Sequence, residues 1–233
     1  MNNNMKIQKF EQSGFIIESE SGFRIALDIG SKTSPETLSG IKPVDVFLVS
    51  HIHGDHFDPT NIKTLLPKQV FLAEDCYRIL FYNPGIIPRG SMTNPPKIPF
   101  SAFGIIMQNG FEFNSPDFSF KAFHVDHGPN VSAPLQDNFG FLIEIDGKQI
   151  YFAGDMYNPS GIDVSELSPD YALLPVGGHY TFGPEEAFEF AKTFKSIGTL
   201  VPMHYEQSGF IDPIRKDEFV TLAGKYFTIE TLS

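Results

Sequence analysis

The sequence predicts an α/β protein, an αββα sandwich of two mixed β-sheets with helices on the outer faces. Three observations lead there. Short β-branched and aromatic runs give way to helix-forming runs twice along the chain, in halves spanning roughly residues 6–82 and 100–231. Residues 83–99 between them carry five prolines and two glycines in 17 positions, a composition that defeats both helix and sheet ladder. At 233 residues the chain suits one large domain, so the two halves are expected to share a core within a single domain over 1–233.

The elements follow in order. Residues 1–5 read as a frayed terminus. Residues 6–10, 15–18 and 23–28 are short strands punctuated by Ser13-Gly14 and Ser21-Gly22, the pattern of an antiparallel meander. A polar loop follows, and then residues 44–50, apolar and β-branched enough for a buried strand. Asp58 before Pro59 is an N-cap followed by proline at the first helical position, so a short helix is expected at 60–66. A strand at 69–72 and a helix at 74–81 complete this half. The Pro-rich stretch is a long loop, either a connector or a wall over a site. Beyond it, strands are expected at 101–107, 111–113, 118–125, 139–145 and 149–153, with Asp146-Gly147 as a hairpin signal. Helices at 184–196 and 213–223 then alternate with strands at 172–175, 199–202 and 227–230.

The chemistry concentrates where the 44–50 strand ends, in His51-Ile52-His53-Gly54-Asp55-His56. Three imidazoles and a carboxylate this close would waste solvation in a core, but they suit a divalent metal. Extended geometry puts His51 and His53 on one face, and Gly54 permits a sharp turn that brings Asp55 and His56 beside them. Two ligand pairs result, enough to start two metal sites. His and Asp recur at later strand ends, in Phe123-His124-Val125-Asp126-His127, in Gly154-Asp155 and in Met203-His204-Tyr205. His124 and His127 would stand roughly 10 Å apart on opposite faces of an extended strand, so one metal cannot readily use both. Position favours His127, beyond the last apolar residue, with His124 a buried neutral imidazole or a group near the site. Asp28, ending its strand, reads either as a partner to a ligand histidine or as a turn former. His179 follows Gly177-Gly178 among ligand-bearing strand ends and is assigned a substrate-contacting role; Tyr180 and Tyr205 are expected to pack and hydrogen-bond locally.

Composition bounds the partners. A net charge of −11 argues against a sequence-independent grip on phosphate backbones, so the expected substrate is a small molecule and no nucleic acid is expected. The single cysteine, Cys76, excludes an internal disulfide framework and a Cys-rich zinc site, and it reads as a packed thiol. No apolar stretch reaches bilayer-spanning length, and the Asn-rich start lacks the apolar region of a signal peptide, so the expectation is a cytoplasmic protein without a membrane partner. Oligomeric state is left open.

His-x-His-x-Asp-His after a buried strand, with His127, Gly154-Asp155 and His204 at later strand ends, resembles the signature of the metallo-β-lactamase fold family over about residues 7–230. Gly140-Phe141-Leu142-Ile143, Leu174-Pro175-Val176-Gly177-Gly178 and Pro202-Met203-His204-Tyr205 resemble the small cytoplasmic branch of metal-dependent hydrolases related to ascorbate-phosphate lactonases. The resemblance implies one metal on His51, His53 and His127, a second on Asp55, His56 and His204, and Asp155 bridging them. Two divalent ions are thus the expected cofactor, Zn(II) foremost, with Mn(II) or Fe(II) as alternatives because no thiolate biases the site. The implied activity is that of a dinuclear hydrolase whose metal-bridging hydroxide attacks an ester, lactone or phosphodiester bond of a small molecule, with Asp55 orienting the water. The alternatives are a non-haem iron oxidoreductase on the same fold, which would not need His56 and His204, and a nuclease, which would need a basic surface.

Overall fold

Each half of the chain starts with strands that pair antiparallel with their neighbours in sequence and finishes with strands that pair parallel. The computed structural model describes residues 5–82, 102–131 and 137–232; the loop expected at 83–99 lies outside the described residues. The chain divides into two compact units, Met1–Gln108 and Asn109–Leu232.

In the first unit six strands lie side by side in chain order: β1 (Lys6–Lys9), β2 (Phe15–Glu18), β3 (Arg24–Leu27), β4 (Val46–Leu48), β5 (Gln69–Leu72) and β6 (Phe103–Ile106). The first three pair antiparallel, and β3 to β6 pair parallel. Short turns suffice for the former, whereas a parallel partner needs a crossover. Helices α1 (Pro35–Leu38) and α2 (Pro59–Thr64) lie in two of these crossovers. Helix α1 stands where a polar loop was expected; Ser34 caps it, its Oγ accepting from the Thr37 N–H at 3.2 Å, and Pro35 opens it. The Asp58 cap of α2 is as expected, Oδ1 accepting from the Thr60 and Asn61 N–H groups at 2.7 and 3.2 Å. β3 and β4 are buried throughout, as parallel strands covered on both faces are. The helix expected at 74–81 splits into α3 (Glu74–Tyr77) and one wider π-helical turn, Arg78–Tyr82. That turn stacks Phe81 on Tyr77, ring centroids 4.6 Å apart, over Gly104 of β6, where a Cβ would meet the Phe81 ring at 2.4 Å.

The second unit repeats the plan. Its sheet runs β12-β11-β10-β9-β8-β7, built from β7 (Glu112–Asn114), β8 (Phe118–His124), β9 (Phe139–Ile145), β10 (Lys148–Phe152), β11 (Tyr171–Pro175) and β12 (Thr199–Met203). Pairing is antiparallel from β7 to β10 and parallel from β10 to β12. Asp146 and Gly147 turn the β9–β10 hairpin with φ of 53° and 69°, the left-handed pair a two-residue turn requires. Helices α4 (Pro184–Ala191) and α5 (Ile214–Ala223) pack together. The strand expected at 227–230 reduces to one parallel bridge between Leu200 and Ile229. Thr228 and Glu230 are exposed, so no buried face drives longer pairing. No helix among the described residues is long and apolar enough to cross a membrane.

The core of this unit is aromatic. Phe123, Phe139, Phe141, Tyr151, Phe152 and Phe182 are fully buried, and Tyr151 stacks on Phe123 with centroids 5.4 Å apart. The Tyr151 hydroxyl is enclosed without a hydrogen-bond partner among the described residues, and burial alone pushes its pKa far above the usual phenol value. A buried hydroxyl lacking a partner costs about 1–3 kcal/mol. Tyr151→Phe is therefore expected to hold or raise stability by about 1 kcal/mol, read as an unchanged or higher Tm in calorimetry; a drop of that size would mean that the hydroxyl has a partner.

Candidate metal centre

In the first unit β4 delivers Ser50 and His51 to the C-terminal edge of the parallel strands, where open α/β sheets hold their sites. Asp28 follows β3 in the left-handed region, φ 42°, and its carboxylate is a hub. Oδ1 accepts from the Ser50 N–H at 2.7 Å, and Oδ2 accepts from the Ser50 hydroxyl at 2.5 Å and from His56 Nδ1 at 2.8 Å. With its hydroxyl hydrogen bond donated to Asp28, the Ser50 oxygen can only accept from His51 Nδ1, 2.8 Å away. Both rings therefore carry a proton on Nδ1, which leaves Nε2 as the atom that each would offer a metal. Burial pushes the Asp28 carboxyl up from its ordinary value, opposed by the hydrogen bonds from His56 and Ser50.

The motif turn is held as tightly. The His56 and Phe57 N–H groups both donate to the His53 carbonyl, at 3.0 and 2.8 Å, and the Ser31 N–H donates to the Gly54 carbonyl at 2.7 Å. The turn rests on Gly30, where a Cβ would stand 2.1 Å from the Asp55 carbonyl carbon. His51 Nε2 lies 3.0 Å from His53 Nδ1, and Asp55 Oδ2 lies 3.9 Å from His56 Nε2. Four of the sequence-predicted ligands are thus gathered in this unit. Asp28, His51 and His56 also bring ligand atoms within 4.8 Å of one another, but the oxygens of Asp28 are committed to orienting the other two.

The second unit carries the other three. Asp155 Oδ2 lies 3.2 Å from Nε2 of His127 and 3.2 Å from Nε2 of His204, and all three residues are buried. His127 Nδ1 donates to the Tyr180 carbonyl at 3.1 Å; a carbonyl only accepts, so this ring too has its Nδ1 occupied and would offer a metal its Nε2. Asn138 clamps two ligand-bearing segments, its Nδ2 donating to the Val125 carbonyl at 3.3 Å and the Asp155 carbonyl at 3.2 Å. His204 takes the left-handed conformation, φ 55°, with its carbonyl packed against Gly177, where a Cβ would stand 2.1 Å away.

The remaining sequence-predicted residues fall as follows. His124 is exposed, not buried as expected: it is the last residue of β8, past the point where Phe118, Phe120 and Ala122 bury their face, and its N–H is tied to Asn109 Oδ1 at 2.9 Å. His179 is exposed on its loop, φ 59°, its ring 4.5 Å from Phe210 and edge-on to Tyr180 at 4.4 Å. Cys76 is buried, as a packed thiol should be. Ser50, Asn138 and the Tyr180 carbonyl were not singled out in the sequence, though each orients a predicted ligand. As donors, imidazole nitrogens oriented by Nδ1 bonds together with carboxylate oxygens suit Zn(II), Mn(II) or Fe(II).

Comparison with known proteins adds to this geometry. A family model described as Beta-lactamase superfamily domain matches residues 6–204. A UPF0173 metal-dependent hydrolase of Pyrococcus abyssi is 30% identical over 230 residues, covering 94% of this chain and 92% of the relative. Another of that name, from Pelotomaculum thermopropionicum, is 32% identical over 210 residues, covering 86% and 84%. Among solved structures, Igni18, a metallo hydrolase from the archaeon Ignicoccus hospitalis, superposes with a TM-score of 0.73 at 23% identity over 98% of this chain and 95% of its own. That likeness gives the fold, which is the metallo-β-lactamase fold expected from the sequence.

Proposed function

This chain belongs to the Beta-lactamase superfamily domain family, and from that membership we propose that it is a dinuclear metal-dependent hydrolase cleaving an ester, lactone or phosphodiester bond of a small molecule. Its relatives are named metal-dependent hydrolases. One observation carries the dinuclear reading: a single oxygen of Asp155 is equidistant, at 3.2 Å, from the Nε2 atoms of His127 and His204. A carboxylate shared in this way suits a ligand common to two ions, the role that the resemblance gives Asp155. The same resemblance assigns His51, His53 and His127 to one ion and Asp55, His56 and His204 to the other. Such a pair, when bound, supplies Lewis acidity for the bond attacked and a water of lowered pKa. Half-buried Asp55 is suited to accept the proton from that water, and exposed His179 to contact the substrate. The net charge of −11 supports a small-molecule substrate over nucleic acid.

Purified protein is expected to hold about two divalent ions per chain, Zn(II) foremost, and chelation should abolish hydrolysis across a panel of esters, lactones and phosphodiesters, with Zn(II) restoring it. Full activity at one ion per chain would exclude the dinuclear reading. Asp28→Asn separates positioning from ligation. An amide presents one accepting oxygen where the carboxylate uses two, so either Ser50 or His56 loses its partner, while asparagine still tolerates the left-handed backbone. Zn(II) affinity, measured by chelator competition, is expected to fall about 10–100-fold with the fold retained.

A further inference from the structure

The loop 177–183 supports two of the proposed ligands and also walls a cavity, all within the second unit. Gly177 lies against the His204 carbonyl and the Tyr180 carbonyl holds His127 Nδ1, as described. The cavity measures about 1030 Å³ and is lined by none of the proposed ligands; of the residues given a role above, His179 is in its wall. Small-molecule sites run from about 300 to 1,000 Å³, which puts this one at the size of a drug-like molecule, well beyond a short acyl group.

Two features of the lining select the occupant. One is aromatic: the His179 ring lies against Phe210, tilted by 33°, and Phe210 is 74% exposed, leaving most of its surface for a further ring. A single exposed apolar side chain is ordinary on a surface, so what counts here is its place in the cavity wall beside the His179 ring. The other is charge. Glu185, Glu186 and Glu218 outnumber Arg215, whose Nη1 is itself 2.9 Å from Glu218 Oε2. Surplus carboxylates repel phosphates and other anions and accept hydrogen bonds from hydroxyl and amino groups. Among the three bond types left open above, the phosphodiester therefore suits this cavity least.

We infer that the cavity binds the uncharged, ring-bearing part of a carboxylic ester or lactone, its ring on the exposed surface of Phe210 beside His179 and its hydroxyl or amino groups toward Glu185 and Glu186. The inference rests on the hydrolase reading for the bond cleaved, but the binding of the ring can be tested without it. The matched pair 3,4-dihydrocoumarin and δ-valerolactone differ by a fused aromatic ring on the same six-membered lactone. In the metal-loaded enzyme, Phe210→Ala is expected to lower the ratio of their kcat/KM values about tenfold, mainly through KM for the aromatic lactone; comparing ratios cancels their intrinsic reactivities. In metal-depleted protein, saturation-transfer NMR is expected to show 4-hydroxybenzyl alcohol in contact with the wild type and not with Phe210→Ala. Should the metal-loaded enzyme hydrolyse neither lactone nor any member of the ester and phosphodiester panel while the NMR contact appears and depends on Phe210, the hydrolase reading fails and the cavity assignment stands. An unchanged ratio, or an NMR contact that is absent or survives Phe210→Ala, overturns the assignment.

Discussion

Asp155→Ala is expected to strip the protein of bound metal and to lower hydrolysis by at least about a thousandfold, because the several kcal/mol that metal ions lend a hydrolytic transition state would go with them. The expectation is strong because one oxygen serves two imidazoles: removing it leaves the Nε2 atoms of His127 and His204, each 3.2 Å away, without the anion that unites them. The fold should survive, since Asn138 holds the Asp155 segment through its backbone carbonyl and not its side chain. Metal content by plasma mass spectrometry, activity and far-ultraviolet circular dichroism measured on one preparation separate these effects. A well-folded variant that keeps both metal and turnover would show that Asp155 is not shared between ions.

The second large effect is a contrast between two histidines three residues apart. His127→Ala is expected to lose metal and activity to a similar degree, since the ring is buried, fixed by the Tyr180 carbonyl and presents Nε2 to Asp155. His124→Ala should stay within about twofold of wild type in metal content and rate, the range of an ordinary surface substitution. The side chain of His124 is exposed, and the bond that ties this position to Asn109 uses its backbone N–H, which alanine keeps. Metal lost from the His124 variant and kept by the His127 variant would reverse the assignment.

Much of the fold was legible because its signals are local. The runs at 15–18, 69–72 and 139–145 are strands with those bounds, the Asp146-Gly147 turn is where its residue types put it, and the α2 cap is the Asp-Pro pair. What escaped depends on partners distant in sequence. A π-helical turn at Arg78–Tyr82 has no composition of its own and is matched to Gly104 of another strand, while the shortfall at 227–230 reflects exposure that the β-branched residues there do not announce. The α1 helix was readable, since Ser34-Pro35 is a cap signal, but the surrounding polarity pointed to a loop.

The candidate site divides in the same way. Histidine and aspartate announce themselves by type, and those at 51–56 by spacing as well, while the family resemblance joined His127, Asp155 and His204 to them. The groups that orient them do not announce themselves: Ser50 is a serine between a strand and a motif, Asn138 is an asparagine before a strand, and the partner of His127 is a peptide oxygen that every residue possesses. Of the two readings open for Asp28, the structure favours the histidine partner and uses the turn-prone backbone to achieve it.

Gly30 extends this contrast into mutational tolerance. It offers no donor, acceptor or charge, yet the smallest possible side chain there would collide with the backbone carrying Asp55 and His56. Overpacking against backbone cannot be relieved by a rotamer change, so every substitution displaces the motif turn. In a saturation scan scored by activity, position 30 would be as intolerant as the histidines. Such a scan would register an empty volume as strictly as it registers reactive atoms, and residues that never meet a substrate would bear a share of the constraint.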